Sequence, residues 1–350
     1  MTATVPFVSI IVPCRNELHY LAPCLDSILA TEYPLDRLEI LIVDGESNDG
    51  TRAIADLYAK RRTATVRVLR NPGRTAPTAL NIGIGEAQGD LIARMDAHAS
   101  YPPEYLPRLV QALGAMGADN VGGVLVTLPA NHGPVARAIA VALSHPFGVG
   151  NSQFRIGATT RQWVDTVAFG CWPRKVFTWI GGFDEELVRN QDDEFNHRLV
   201  ARGGRVLLDP SVTARYYARE TLGQVARMFY QYGLYKPLVA RKVGRVMTAR
   251  QLAPPAFTLT LGLALALAPW LEIARLAGAA VTGVYALAAL GAAAGRLSQL
   301  GVRAAAILAI VFPVMHLSYG WGFLRGLVRW ARPARDRSTA APVPVAPLSR

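Results

Sequence analysis

Residues 7–14 read FVSIIVPC and residues 38–44 read LEILIVD, and these two short apolar runs decide the fold class. Both runs are rich in β-branched residues, which is typical of strands buried on both faces of a parallel sheet. Helical patterns follow them at 21–29 and 51–62. Two further strand-like runs, at 66–69 and 89–95, enclose a helical pattern at 77–87. This alternation predicts an α/β domain with a mainly parallel sheet wrapped by helices.

A change of composition after residue 250 divides the chain. We predict a catalytic domain over 1–235, a basic juxtamembrane linker over 236–251, transmembrane helices within 252–325, and a disordered basic and proline-rich tail over 326–350. Three stretches, 252–271, 276–294 and 304–324, are each apolar and long enough to cross a hydrocarbon core of ~30 Å. The middle stretch is mostly alanine and glycine, so its insertion signal is the weakest of the three.

The net charge of +12 is unevenly distributed along the chain. Residues 1–235 contain 23 basic and 23 acidic residues, whereas residues 236–350 contain 14 basic and only 2 acidic residues. Basic residues beside hydrophobic segments keep loops on the cytoplasmic side and attract anionic lipids. We therefore expect a multi-pass protein of the cell membrane with its catalytic domain in the cytoplasm, and no nucleic-acid partner. The charge rule favours two spans and the apolar lengths favour three, which leaves the number of spans open.

Polar residues stand where the first two strands end, and ligands of such sheets bind beyond the carboxyl ends of the strands. The first strand runs into PCRNE at 13–17, so we assign Pro13, Arg15, Asn16 and Glu17 to donor binding. Asp44 ends the second strand before a glycine-rich turn that opens a helix. Its carboxylate can accept a hydrogen bond from a nucleobase N–H or a ribose hydroxyl, the alternative being turn chemistry alone.

The stretch RMDAH at 94–98 ends the fourth strand-like run and predicts a metal site. Asp96 and His98 are two residues apart at a frayed strand end, so both can turn towards one ion that bridges a diphosphate. Oxygen ligands suit Mg²⁺ and an imidazole is better tolerated by Mn²⁺, so we expect a divalent cation, Mn²⁺ or Mg²⁺. A purely structural His98 is the alternative. We also assign Asn81 and Arg94 to donor binding.

The stretch NQDDEFNHRL at 190–199 begins a predicted helix with three consecutive acids. Acidic residues in a first turn are favoured by the helix dipole, which is the structural explanation for them. One helix needs only one cap, however, and a carboxylate that faces a cleft can act as the general base for an acceptor hydroxyl.

Taken in this order, these features resemble the family 2 inverting glycosyltransferases, whose catalytic domain is the GT-A nucleotide-diphospho-sugar transferase fold. The stretches RMDAHA, FGCWPRKVF, GGFDEELVRNQDDE and FYQYG resemble the ExoA-type enzymes of succinoglycan and related exopolysaccharide biosynthesis. The resemblance implies that Asp44 contacts the base, Asp96 binds the metal, and Asp192 is the catalytic base with Asp193 as the alternative. It departs from the family where His98 replaces the usual second aspartate and where Gln191 replaces the usual glutamate.

The resemblance predicts a membrane-anchored, metal-dependent hexosyltransferase for cell-envelope or exopolysaccharide synthesis. Its partners would be a nucleotide-sugar donor, with UDP as the expected nucleotide, and a lipid-linked or saccharide acceptor. The processive Q-x-x-R-W motif is not matched, which favours the addition of single sugars. Two alternatives stay open: a catalytically inactive membrane scaffold with the same fold, or another nucleotide-binding α/β enzyme such as a dehydrogenase. A G-x-G-x-x-G sequence after the first strand would favour the dehydrogenase, and the chain has none there.

Overall fold

The structure is a computed structural model and describes residues 5–61, 64–244 and 248–331. Its strands are β1 Val8–Cys14, β2 Leu38–Asp44, β3 Thr65–Arg70, β4 Leu91–Arg94, β5 Ala99–Ser100, β6 Asn120–Leu128, β7 Gln162–Trp163, β8 Ala168–Pro173 and β9 Val206–Tyr217. Its α-helices are α1 Leu21–Leu29, α2 Thr51–Ala59, α3 Ala76–Glu86, α4 Tyr105–Met116, α5 Pro134–Ala142, α6 Pro146–Val149, α7 Gln153–Ile156, α8 Lys175–Ile180, α9 Gln191–Ala201, α10 Leu222–Val243, α11 Ala253–Leu267, α12 Glu272–Ala294 and α13 Leu297–Ala331. The described residues form two compact units, one of 5–126 with 153–217 and one of 127–152 with 218–331.

The first unit is built on a mixed sheet, which among the described residues has nine strands. The strand order is β3-β2-β1-β4-β8-β6-β9-β5, and β7 pairs with β9 beside this path. β1 pairs in parallel with β2 and β4, and β2 pairs in parallel with β3. β8 is antiparallel to both β4 and β6, and β5 is antiparallel to β9. The predicted α/β class with its parallel sheet is therefore confirmed, and antiparallel strands extend that sheet on one side.

The parallel strands are fully buried, as their uninterrupted apolar sequences predict. Every residue of β1 and β2 is buried, and helices cover both faces of the sheet. Glu39, an acidic residue in the middle of this layer, accepts hydrogen bonds from the Ser9 hydroxyl and the Gln88 backbone N–H, both at 2.6 Å. Helix α3 approaches β1 so closely that a Cβ atom on Gly83 would lie 2.6 Å from the Ile11 side chain. These contacts hold the strand ends in a constant arrangement.

The second unit is helical and has its own apolar core. The middle of α13 is completely buried through Leu308, Val311, Phe312 and Met315, which pack with residues of α5. α10 packs along the second half of α13 through glycines. A Cβ atom on Gly322 would lie 2.1 Å from the carbonyl oxygen of Tyr230, so only glycine allows this approach.

The boundaries of this unit differ from the predicted domains. The predicted boundary at residue 235 falls inside α10, which continues to Val243 through Pro237. The predicted linker over 236–251 therefore begins as helix, and its residues 245–247 lie outside the described residues. Most of the predicted tail over 326–350 also lies outside them, while 326–331 complete α13. Packing of α10 on α13 explains why the helix is not interrupted at Pro237, since neighbouring helices compensate for a lost backbone hydrogen bond.

Two helices within the described residues, α12 and α13, are long and apolar enough to cross a membrane. The predicted first span at 252–271 contains α11, which has 15 residues and ends at Leu267. At 1.5 Å per residue this helix is about 22 Å long, which is shorter than a hydrocarbon core of ~30 Å. In the apolar 18-residue stretch of each helix, 11% is buried in α12 and 39% is buried in α13. The stretch 276–294, which has the weakest predicted insertion signal, therefore lies within α12, the more exposed of these two helices.

Candidate active site

The carboxyl ends of β1, β2 and β4 lie side by side. Cys14 is the register partner of Asp44, and the Met95 N–H donates to the Ile11 carbonyl oxygen at 3.0 Å. The polar residues that follow these strands therefore share one edge of the sheet, as the sequence predicts for parallel neighbours.

The turn after β1 and the turn after β2 are joined by a hydrogen-bond network. The Asn16 N–H donates to the Ser47 hydroxyl and the Asn48 N–H donates to the Asn16 amide oxygen, both at 2.9 Å. The Ser47 hydroxyl in turn donates to Asp44 Oδ1 at 2.6 Å. Asn16 has a φ of 56°, a left-handed conformation that asparagine tolerates. Asp44 thus organises a polar turn and presents a carboxylate at the sheet edge.

Arg15 lies against this turn and leaves a nitrogen atom without a partner. Its side chain packs 3.1–3.3 Å from the position that a Cβ atom on Gly45 would take, so a larger residue at position 45 would crowd Arg15. The buried Nε atom makes no hydrogen bond within the described residues. An unsatisfied buried N–H donor is costly, and a donor phosphate or ribose oxygen would satisfy it. Pro13, the second-last residue of β1, pairs with Val43 of β2.

Glu17 and His98 form a second group at the same edge. His98 Nδ1 lies 3.1 Å from Glu17 Oε1, and Glu17 is almost completely buried. The Glu17 backbone N–H donates to the Thr51 hydroxyl at 2.7 Å, which ties the group to the start of α2. The imidazole also stands edge-on to the Tyr216 ring, with ring centroids 5.4 Å apart. His98 therefore has a carboxylate partner and an aromatic wall.

Arg94 joins the two carboxylates for which the sequence predicts different roles. Its Nε and Nη2 donate to Asp96 Oδ1 and Oδ2 at 2.7 and 3.0 Å, and its Nη1 donates to Asp192 Oδ1 at 2.6 Å. Arg94 and Asp96 are 6% and 9% exposed, whereas the Asp192 side chain is 29% exposed. Asp96 and Asp192, at opposite ends of the chain segment 96–192, thus meet at one guanidinium.

The two carboxylates of this cluster have pKa values that are shifted in opposite directions. Burial raises the pKa of Asp192 to about 6, because the Arg94 charge only partly offsets burial and the Asp96 and Asp193 carboxylates add repulsion. Burial also acts on Asp96, but the charge and hydrogen bonds of Arg94 outweigh it and hold the pKa of Asp96 below its usual value. The Asp96 carboxylate is therefore held ionised, whereas the pKa of Asp192 is moved closer to neutral pH, where a carboxylate can exchange a proton.

The acids at the start of α9 have different structural tasks. Glu194 accepts from Arg198 Nε at 2.7 Å and from Arg198 Nη2 at 2.9 Å, one turn along the same helix. Asp192 instead reaches across to Arg94, and Asp193 is partly exposed beside it. The helix explanation for the three acids therefore accounts for Glu194 and leaves Asp192 at the cluster.

Asn81 is engaged with the segment that follows α8. Its Nδ2 donates to the Phe183 carbonyl oxygen at 2.8 Å and to Glu185 Oε1 at 2.9 Å, and its Oδ1 accepts from the Phe183 N–H at 2.8 Å. These bonds use both amide donors and one acceptor position, so Asn81 fastens α3 to this segment. Its assignment to donor binding stays a prediction.

The metal ligands that the sequence predicts do not form a closed coordination cage. Within the described ranges there is no group of three or more His, Cys, Asp or Glu side chains that could hold a metal ion. The Asp96 carboxylate is already paired with one cation, the Arg94 guanidinium. The other side chains at this edge that could donate an electron pair to a metal are His98 and Glu17. Carboxylate oxygens and imidazole nitrogens are donor types that Mn²⁺ accepts, so Asp96 and His98 are the residues that would hold a cation at this edge.

Arg155 is a candidate functional residue that the sequence analysis missed. Its guanidinium lies 5.7 Å from the centroid of the Tyr216 ring, the same ring that contacts His98. Its Nη1 is buried and makes no hydrogen bond in the part of the chain that the structure describes. No local motif surrounds Arg155 in the sequence, because its neighbour Tyr216 lies on β9, far along the chain. A cation with a free donor suits an anionic ligand.

Comparisons with known proteins identify the family of the chain. A family model described as "Glycosyl transferase family 2" matches residues 9–176. The chain is 31% identical over 334 residues to the succinoglycan biosynthesis protein ExoA of Rhizobium meliloti (strain 1021), an alignment that covers 92% of this chain and 96% of that protein. It is 29% identical over 243 residues to a dolichyl N-acetyl-alpha-D-glucosaminyl phosphate 3-beta-D-2,3-diacetamido-2,3-dideoxy-beta-D-glucuronosyltransferase of Methanococcus voltae, covering 67% of this chain and 74% of that protein.

Two solved structures resemble the fold over almost the whole chain. The mannosyltransferase PcManGT from Pyrobaculum calidifontis, in complex with GDP-Man and Mn²⁺, has a TM-score of 0.58 at 19% identity and covers 95% of this chain and 89% of its own. TarS of S. aureus has a TM-score of 0.51 at 15% identity and covers 94% of this chain and 93% of the compared chain. At these identities the likeness concerns the fold.

Proposed function

The chain belongs to the family 2 glycosyltransferases with the GT-A fold, and we propose that it is a membrane-anchored enzyme. In the proposed reaction it transfers one sugar, with inversion, from a nucleotide-diphosphate donor to a lipid-linked or saccharide acceptor. The observation that carries the proposal is the meeting of Asp96 and Asp192 at Arg94. An inverting transfer needs a group for the leaving diphosphate and a base for the acceptor, and this cluster supplies one carboxylate for each.

The proposed transfer is a single displacement. The Asp192 carboxylate takes the proton from the acceptor hydroxyl as that oxygen forms a bond to the anomeric carbon. The bond from the anomeric carbon to the diphosphate oxygen breaks, and the nucleoside diphosphate leaves with the electron pair. A pKa of Asp192 raised to about 6 supports this role, because a base works best when its pKa is close to the working pH.

We propose that Asp96 and His98 hold a divalent cation when the donor is bound. Such a cation, Mn²⁺ or Mg²⁺, supplies positive charge that offsets the charge developing on the leaving diphosphate. The Mn²⁺ in the mannosyltransferase complex supports this proposal. Asp96→Ala is expected to weaken metal-dependent nucleotide binding at least about tenfold, since a bond to a charged group is typically worth ~1.5–3 kcal/mol. Equal binding by the variant would remove Asp96 from the metal site.

The remaining donor contacts follow from the loop geometry. We propose that Asp44 accepts from the nucleobase or ribose, that Arg15, Asn16, Glu17 and Pro13 border the nucleotide, and that Arg155 binds a phosphate oxygen. UDP is the proposed nucleotide. The GDP-Man in the related mannosyltransferase makes GDP the comparison to include in any test.

We propose that the helices of the second unit hold the enzyme in the cell membrane as a multi-pass protein, with the catalytic unit on the cytoplasmic side. α12 and α13 support this by length and composition, and the basic excess after residue 235 supports the orientation. A lipid-linked acceptor agrees with the dolichyl phosphate in the name of the Methanococcus voltae relative.

The test is a donor screen on the full chain in detergent, with UDP- and GDP-sugars, Mn²⁺ or Mg²⁺, and lipid-linked or free saccharide acceptors. Nucleotide release is measured first, and the anomeric configuration of any product is then read by NMR. The proposal predicts metal-dependent release of one nucleotide and a product of inverted configuration. Retention of configuration contradicts the displacement, and a lack of release with every donor favours an inactive scaffold.

A further inference from the structure

All three guanidinium nitrogen atoms of Arg94 donate hydrogen bonds to two carboxylates. The residue ends β4, so its backbone is fixed by the buried sheet while its side chain extends beyond the strand end. Two of its nitrogen atoms hold both oxygens of Asp96, and the third holds Asp192. The guanidinium is a rigid planar fork, so it fixes the distance between these carboxylates as well as neutralising their charge.

Arg198 shows what a purely structural arginine looks like in the same unit. It pairs with Glu194 one helical turn away, and its other nitrogen atoms donate to the backbone carbonyl groups of Ile180 and Gly182. These bonds fasten α9 to the end of α8. The hydrogen bonds of Arg94 instead go to the two side chains for which the proposed reaction has separate uses. Fastening of backbone segments therefore does not account for the Arg94 contacts.

We propose that Arg94 is a positioning residue that holds the base Asp192 and serves as an internal counter-cation at Asp96, giving way there when a divalent cation binds. This inference rests on the proposed function. Both Asp96 oxygens already accept from the guanidinium, so a second cation at the same buried carboxylate meets a like charge at short range. The contact from Nη1 to Asp192 uses a different nitrogen atom and can persist while the Asp96 contacts are released.

The consequence is a coupling between the cation site and the base. In the free enzyme the guanidinium pairs with both Asp96 and Asp192, so a buried and a partly buried carboxylate can lie close together without an ion. When a divalent cation neutralises Asp96 in place of Arg94, the bond from Nη1 to Asp192 would remain. The base is then held in place at the moment when the donor is present.

The experiment measures Mn²⁺ binding by EPR in the absence of nucleotide, and transfer kinetics separately. Arg94→Met removes the competing cation, so Mn²⁺ is expected to bind at least about tenfold more tightly than to the wild type. The same variant should lose kcat by about 10²-fold, the lower end for a misplaced base, while KM for the donor stays within about threefold. Arg52→Met, which removes an exposed arginine that pairs with Asp56 in α2, is the matched control and should leave Mn²⁺ binding and the transfer kinetics unchanged.

Arg94→Lys provides a second variant if the methionine protein does not fold. A lysine keeps the charge but cannot hold both Asp96 oxygens and Asp192 together, so it should bind Mn²⁺ more tightly than the wild type and have an intermediate kcat. Equal or weaker Mn²⁺ binding in the folded variants, or wild-type kcat in Arg94→Lys, overturns the inference. A wild-type protein with no metal-dependent nucleotide binding or transfer would instead contradict the proposed function.

Discussion

The two units of this protein use charged and apolar side chains in opposite ways. In the first unit charged residues of the site are paired and largely withdrawn from solvent, as in the contacts of Arg94 with Asp96 and Asp192, and the apolar residues fill the core. In the second unit large apolar residues such as Leu265, Leu276 and Leu287 are exposed along α11 and α12. Buried ion pairs suit the proposed reaction, which needs charge, whereas exposed leucines suit the apolar medium of the proposed membrane anchor.

The largest expected effect, on kcat, distinguishes the proposed base Asp192 from its neighbour Asp193 in the first unit. Asp192→Asn removes the proton acceptor and should lower kcat by about 10²–10⁴-fold while donor binding is preserved. Asp193→Asn is the matched control one residue along α9, and we expect a loss of less than about tenfold for it. Steady-state kinetics with both variants decide the assignment. A large loss in Asp193→Asn with an active Asp192→Asn would assign the base to Asp193.

The next effect tests the exposed helices of the second unit. Val284, Leu287 and Leu290 of α12 are 70%, 72% and 56% exposed, and arginine at all three positions should move the protein from the membrane to the aqueous fraction. Each arginine near the centre of a span costs about 2.5–3.5 kcal/mol. The comparison is Leu57→Arg in α2 of the first unit, an exposed leucine whose replacement should leave the distribution unchanged. Cell fractionation with immunoblotting measures it, and membrane retention of the triple variant would contradict the lipid explanation.

A smaller effect is expected from Arg155, whose buried Nη1 has no hydrogen-bond partner among the described residues. Arg155→Met should weaken binding of the nucleoside diphosphate, or of a lipid phosphate acceptor, about tenfold, because one charge-assisted bond is lost. Calorimetry with UDP and GDP, and KM values for the acceptor, distinguish the two sources of phosphate. Arg52→Met is again the control. Unchanged affinity for both ligands would leave Arg155 as a packing residue against Tyr216.

The smallest effect is a pH dependence set by Asp192. Its pKa is raised to about 6, and only the ionised carboxylate can accept a proton, so kcat/KM should fall about tenfold per pH unit below pH ~6 and level off above it. An exposed aspartate would keep the rate constant down to about pH 4. The profile between pH 4.5 and 8 for the wild type is the measurement. A rate that stays constant to pH 4.5 would show that the environment of Asp192 differs from the one described.

The sequence was sufficient for features that depend on neighbouring residues or on strand geometry. Continuous apolar runs identified β1 and β2, and the parallel arrangement then required Asp44 and Asp96 to share an edge. Helix boundaries that depend on packing were less predictable. Residues 252–271 and 276–294 are similarly apolar, yet one contains a helix of 15 residues and the other lies within a helix of 23. Composition does not show where a helix ends when the end is set by contacts with other helices.

What the sequence by itself determined is the fold class, the family, and the residue types that stand at the strand ends, because periodicity and local motifs are written in adjacent residues. What only the tertiary structure decided is which carboxylates meet. Asp96 and Asp192 are joined by Arg94, and Arg155 lies near His98 through Tyr216 on β9. These contacts arise where distant segments pack against one sheet, and no local pattern of residues specifies them.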